Sequence, residues 1–268
     1  ISLGLVGSEM SIRDRIVCVL VGVMCPFLGA HVINREMGFM GDALAHAVMP
    51  GMVAAYAVGF SPLIGAVPTG IAVALIIGYM VKKSNISNDT SIGILFTGLY
   101  ALGLVLMSLI GGTGINVEDI LIGQVMSTST MDVYVTIGLT ALVLGLMLIF
   151  YKQMVFIGFD FEGATVAGIP ASKIDYLLLV LLSVVIVVTL QVVGIILVVG
   201  MLITPASTST LITRRFSTVI YVGILFGIVS AVVGLYISYY FNLPSGPSIA
   251  LTSTIMFTLA FVKKWRTA

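Results

Sequence analysis

Apolar residues run along this chain in long blocks, divided by short polar or glycine-rich breaks. The blocks fall at 15–33, 40–60, 62–82, 90–111, 131–151, 174–193, 195–213, 217–241 and 248–263. A helix needs about 20 apolar residues to cross a bilayer, so each block is a candidate span and the pattern predicts nine. The least marked division is at Gly194. Without it, residues 174–213 would form a helix about 60 Å long, about twice the hydrocarbon thickness, so the chain must break and fold back there.

Composition turns this pattern into a class. Of 268 residues, 59% are hydrophobic and 9% are charged, against about 25% charged in a soluble domain. A soluble globular protein is thereby excluded, and the reading is an all-α polytopic membrane protein, a single transmembrane domain over 1–268. The net charge of +1 gives no sign of a nucleic-acid partner. The chain opens on Ile rather than Met, as a truncated sequence would, and no charged, apolar and small leader pattern precedes the first span. Cys18 and Cys25 lie two helical turns apart in one span, too far for a bridge within that helix, and read as packing residues.

The few charges orient the spans, because basic residues collect in cytoplasmic loops. With sides alternating, Arg35, Lys82, Lys83, Lys152, Lys173, Arg214, Arg215, Lys263, Lys264 and Arg266 fall on one side, leaving only Arg13 and Arg15 opposite. This supports nine spans with a cytoplasmic C-terminus. Eight remain possible if one segment is re-entrant. Two loops exceed a tight turn. The external one, Gly111 to Thr130, has a mildly apolar stretch from Ile120 to Met126 that suits a short interfacial helix. The internal one, Lys152 to Ser172, places Asp160 and Glu162 at the start of a possible helical turn and Gly168 and Pro170 as stop signals. It suits a contact with a partner protein or a plain amphipathic connector.

An ionisable residue inside a span is costly, about 2.5 to 3.5 kcal/mol for Asp at the helix centre, and is a functional candidate for that reason. The segment GFMGDALAHAVMPG places Asp42 and His46 four residues apart, on one face of a helix. A carboxylate and an imidazole together suit a divalent first-row metal such as manganese, iron or zinc. Gly41, Ala43, Ala45 and Ala47 leave room around the pair, and Pro50 with Gly51 can loosen the helix beyond it. Taken alone, D-x-x-x-H also fits a proton relay, or a structural pairing of Asp42 with His46 or Arg35. One helix supplies two ligands where the metal takes four to six, and a second copy across a twofold axis would complete the set. His31, near the inner end of the first span, reads as an interfacial residue satisfied by headgroups or neighbouring backbone, with a metal relay position as the alternative. The 14 methionines read as flexible packing rather than as Cu(I) ligands. H-E-x-x-H, G-x-S-x-G and G-x-x-x-x-G-K-[ST] are all missing. The chain is therefore read as no enzyme, and ATP hydrolysis would need another subunit.

At this point three ordered stretches, MGFMGDALAHAVMPG at 37–51, GMLITPASTSTL at 200–211 and SGPSIALT at 245–252, resemble the permease subunits of bacterial metal-uptake ABC transporters. The resemblance runs from about Val17 to Lys263. It implies a fold similar to type II ABC importers in the bacterial cytoplasmic membrane, with two permease subunits (a homodimer), two cytoplasmic ABC ATPase subunits and an external metal-binding lipoprotein. It also implies that Asp42 and His46 coordinate the transported metal. The coupling segment of the family, FD-x-x-x-A-x-x-x-G-x-P, is matched at about 158–172 by Phe159, Asp160, Ala164, Gly168 and Pro170, with Glu162 inside it. Members for manganese or iron tend to carry LITPA, as Leu202 to Ala206 do here, where zinc members carry LIIPA. The expectation is an importer of a divalent metal, manganese first and zinc or iron as alternatives, with no cofactor of its own. The ion would enter by loops such as Gly111 to Thr130 and Asn242 to Pro247, and its binding should weaken as pH falls, because both ligands coordinate unprotonated. A proton-coupled secondary transporter is the reading from another class. An intramembrane metalloenzyme fits least, since no third protein ligand is evident.

Overall fold

The computed structural model describes residues 6–83, 87–110 and 130–267. Among them the chain is helical throughout, with no strand, as expected where lipid cannot hydrogen-bond an open backbone. In chain order the helices are α1 (Val6–Asn34), α2 (Met40–Ala47), α3 (Met49–Ala57), α4 (Pro62–Lys83), α5 (Asn88–Ile110), α6 (Thr130–Ile149), α7 (Tyr151–Phe159), α8 (Phe161–Val166), α9 (Ala171–Val193), α10 (Ile195–Ile212), α11 (Phe216–Phe241) and α12 (Ser245–Thr267). Eight of them, α1, α4, α5, α6, α9, α10, α11 and α12, are long and apolar enough to cross a membrane.

The remaining predicted span, 40–60, is helical but interrupted. Pro50 has no N–H to return to the carbonyl of His46, so the helix is broken at Val48 and resumes with Pro50 in the first turn of α3. The two pieces stay nearly continuous, with Val48 N donating to Leu44 O at 3.3 Å and Met52 N to Val48 O at 3.1 Å. The break expected at Gly194 is present between α9 and α10, with φ +82°, a conformation that glycine adopts without strain. Other ends follow local chemistry. Pro62 opens α4, and Lys82 and Lys83 occupy its last turn. Ser87 Oγ accepts from Thr90 N at 3.3 Å ahead of α5, and Asn242 closes α11 in the left-handed region.

Packing divides the chain into two compact units that alternate along the sequence: 1–33, 120–145 and 192–268 in one, 34–119 and 146–191 in the other. In the first, α1, α10, α11 and α12 meet through small residues. A side chain at Gly227 would run into the backbone of Gly22, and one at Gly29 into the carbonyl of Leu202, so the backbones there approach without intervening side chains. The buried Cys18 and Cys25 are free thiols within this packing. In the second unit, α2 and α3 pack on α4 and α5. Gly51 and Gly65 abut across the α3–α4 contact, and Gly103 of α5 faces Met49 and Pro50. Most of the expected external loop, residues 111–129 with its interfacial helix, lies outside the described residues.

Candidate metal site

Helix α2 buries Met40, Gly41, Ala43, Leu44, Ala45 and Ala47 against its own unit. What remains is one face carrying Asp42 and His46, with side chains 34% and 19% exposed. The small residues expected to leave space thus serve to press the helix inward, and the pair is presented outward.

His46 Nδ1 lies 2.9 Å from the backbone carbonyl of Asp42 and 3.7 Å from its carboxylate oxygen Oδ1. Only the first is a hydrogen-bond distance. A carbonyl can only accept, so Nδ1 carries the proton and donates to it. That leaves Nε2 and the Asp42 carboxylate as the groups not committed to that hydrogen bond, the tautomer arrangement common for metal-ligating histidine.

Two residues that sequence reasoning passed over hold the ring. Phe96 and Tyr100 of α5 meet the His46 imidazole edge-to-face at centroid distances of 5.6 and 5.3 Å, and stack on each other at 6.0 Å. Phe39 caps Phe96 at 5.7 Å. The available signal was their spacing: Phe96 and Tyr100 repeat the four-residue interval of Asp42 and His46, so two helices offer matched faces. Two M-x-x-M spacings, Met37 to Met40 and Met49 to Met52, flank the pair, and all four side chains are buried in the packing.

The suggested partnership of Asp42 with Arg35 is not found. Arg35, in the turn after α1, pairs instead with Asp175 near the start of α9, where Lys82 Nζ also reaches Asp175 Oδ2 at 3.2 Å. Burial lowers the pKa of Arg35, and the Asp175 carboxylate opposes that shift. Asp175 escaped notice because it stands at the rim of an apolar block, where an acid looks like an ordinary boundary residue. His31 is not at a headgroup surface either. It is 2% exposed, between the rings of Phe27 and Phe216 at 6.0 and 5.0 Å.

The segment around 158–172 runs from the end of α7 through the short α8 to the start of α9. Asp160 caps α8, its Oδ1 accepting from Gly163 N at 2.8 Å, while Glu162 is exposed in the first turn. Ala164 is fully buried, and Gly168, at φ +80°, turns the chain toward the exposed Pro170 and α9. The outer side is apolar as well as exposed, with Val166 at 89% and Phe159 at 65%. On the inner side Asn34 Nδ2 donates to Gly158 O at 2.9 Å, tying the end of α7 to the turn that leads into α2.

Among the described residues no group of three or more His, Cys, Asp and Glu comes together. Asp42 and His46 therefore stand as a pair of candidate donors.

The ABC 3 transport family model matches residues 8–264. The chain is 45% identical over 243 residues to the manganese transport system membrane protein MntC of Halalkalibacterium halodurans, covering 91% of this chain and 83% of that one. It is 38% identical to the manganese import system permease protein ScaB of Streptococcus gordonii, covering 92% and 88%. It is 35% identical to the chelated iron transport system membrane protein YfeD of Yersinia pestis, covering 93% and 84%. Among solved structures, PsaBC from Streptococcus pneumoniae in complex with Fab superimposes with a TM-score of 0.82 at 37% identity, covering 96% of this chain and 93% of that one. A metal-chelate type ABC transporter in an inward-facing conformation, 16% identical with a TM-score of 0.68, shares the fold. Matched along nearly its whole length, this multi-pass chain belongs to the ABC 3 transport family and is a permease subunit of a metal-transporting ABC system.

Proposed function

We propose that this chain is the permease of a bacterial manganese importer in the cytoplasmic membrane, with Asp42 and His46 as the ligands on the ion's path. The observation that carries this reading is the pair itself: a carboxylate and an imidazole Nε2 left open on the outward face of α2. Relatives named for manganese at 45% and 38% identity support the choice of metal.

Two ligands per chain fall short of the four to six a manganese ion takes. A second permease copy, its own α2 facing this one across a twofold axis, brings two more and covers a face whose acid is otherwise exposed. The ion reaches this site from an external metal-binding lipoprotein. ATP is hydrolysed on a separate cytoplasmic ATPase subunit that docks on Asp160 to Pro170, where Asp160 and Glu162 set the start of α8, buried Ala164 seats it, and Gly168 with Pro170 set its exit. A movement of α8 then passes through Gly158 and Asn34 to the turn before α2, and both permease units work as one transmembrane domain.

Cellular manganese measured by mass spectrometry, in cells lacking their own importer, tests the site. Asp42→Asn and His46→Gln, each inserted at wild-type level, should abolish uptake. Uptake at the wild-type rate in both would refute the assignment. Proteoliposomes with and without a co-expressed ATPase test the energy source, since a proton-coupled carrier would take up manganese without it.

A further inference from the structure

The second unit contains a cavity of about 390 Å³ that has no part in the proposed ion path. Its polar wall is formed by Arg35, Lys82, Asp175 and Asn88, and its apolar wall by residues such as Ile77, Val81 and Leu179. It lies at the ends of membrane-length helices: α1 has just ended, α4 is ending, and α5 and α9 are beginning. That is headgroup depth for each of these spans.

The charges there do not balance. Arg35 and Lys82 contribute two positive charges, Asp175 one negative, and the remaining lining residues none. Only one guanidinium nitrogen of Arg35, Nη1, is engaged by Asp175. Nε and Nη2 are buried and have no partner among the described residues, on a side chain that is 9% exposed. Buried charged donors left unsatisfied are unfavourable. The natural complement is an anionic group with several acceptor oxygens, which a planar guanidinium fork and a mobile ammonium receive well. A metal cation is excluded by the same two positive charges.

We propose that this cavity binds the phosphate of an anionic phospholipid headgroup. Arg35 and Lys82 take the phosphate oxygens, Asn88 lies beside the glycerol, and the apolar wall receives the first carbons of an acyl chain. Basic pockets between membrane helices bind anionic headgroups by this chemistry, and a half-apolar wall suits a lipid better than a free ion. The cavity also touches the coupling segment, since Ile157 of α7 and Phe161 of α8 line it, and Lys82 Nζ stands 5.4 Å from the centroid of the Phe161 ring. A bound lipid therefore braces α8. This inference does not depend on which metal is carried or on Asp42 and His46.

The test is native mass spectrometry of the purified chain titrated with dioleoylphosphatidylglycerol, dioleoylphosphatidylcholine and inorganic phosphate. Lys82→Gln, which leaves the Arg35–Asp175 pair intact, should weaken phosphatidylglycerol binding about fivefold, the factor one basic residue supplies at an anionic surface. Arg35→Lys, which keeps the charge and removes the fork, should weaken it as well. Arg266→Gln, removing a charge from the last turn of α12, should not. Equal binding of both lipids, or phosphatidylglycerol binding unchanged in Lys82→Gln and Arg35→Lys, overturns the proposal. Inorganic phosphate competing as effectively as the lipid overturns the lipid assignment in favour of a free-anion site.

Discussion

Replacing Asp175 by Asn should destabilise the chain more than replacing Arg35 by Gln, although the two residues form one ion pair. Among the described residues, Asp175 is the one acid paired with Arg35 and Lys82. Without its charge, a guanidinium that is 9% exposed loses its counter-ion. Breaking a buried pair from one side costs about 3 to 5 kcal/mol. Asp175 is itself 18% exposed, so the lower end, about 3 kcal/mol, is the fitting figure. Arg35→Gln leaves Asp175 with Lys82 at 3.2 Å and removes a charged hydrogen bond, at about 1.5 to 2 kcal/mol. The double variant has no buried guanidinium left without its acid, only the more exposed Lys82, and should fall well short of the sum, about 5 kcal/mol, because the two sites share one interaction. Apparent thermal midpoints of the purified chains, taken in one detergent at one scan rate, report this order. Additivity in the double variant, or Arg35→Gln at least as damaging as Asp175→Asn, would refute the reasoning.

Three further outcomes follow from the contacts. Tyr100→Ala removes one of the two ring contacts that orient His46, each worth about 0.5 to 1.5 kcal/mol, so half-saturating manganese for uptake should rise about 2- to 13-fold. Tyr100→Phe should restore it, whereas a Phe variant as defective as Ala would make the hydroxyl the active feature. Gly227→Val places a side chain against Gly22 O and Pro26 Cγ. An overpacked contact costs about 1 to 3 kcal/mol, to be read as a lower yield of monodisperse protein on size-exclusion chromatography. Asp160→Ala removes the cap of α8 at about 1 kcal/mol and should lower ATP-dependent transport, with Asp160→Ser recovering most of it.

Spans were legible because their signal is local. The lipid requirement for satisfied backbone groups writes each helix as one apolar block, and the boundaries of α4, α9, α10 and α11 lie within a few residues of the expected ones. Segment 40–60 shows where that signal stops. Its composition suits a span, and hydropathy carries no trace of a missing donor; only Pro50, legible as a residue that loosens a helix, points to the break, which falls at Val48. The Asp42 and His46 spacing was legible for the same local reason. Phe96, Tyr100 and Asp175 were not, because their meaning lies in what faces them from another helix. In an apolar chain an aromatic residue looks like packing until a histidine ring stands against it.

The charges within unit 34–119 and 146–191 separate by what they do with their hydrogen bonds. Arg35 and Lys82 both pair with Asp175, from three points of the chain, and Asn88 joins them by donating to Arg35 O at 3.0 Å, while Arg35 Nε and Nη2 have no partner among the described residues. Asp42 and His46 satisfy much less: the imidazole spends one nitrogen on a backbone carbonyl, and the carboxylate stands outside hydrogen-bond range of the ring. Both sets are costly to place in or beside lipid. The first is accounted for by holding together the turn before α2 and the ends of α4, α5 and α9, whereas the second leaves the Asp42 carboxylate without an ion pair at hydrogen-bond distance among the described residues. On the proposed reading the pair is explained by the ion it binds, and the Asp175 cluster by keeping the turn into α2 fixed while that ion is bound and released.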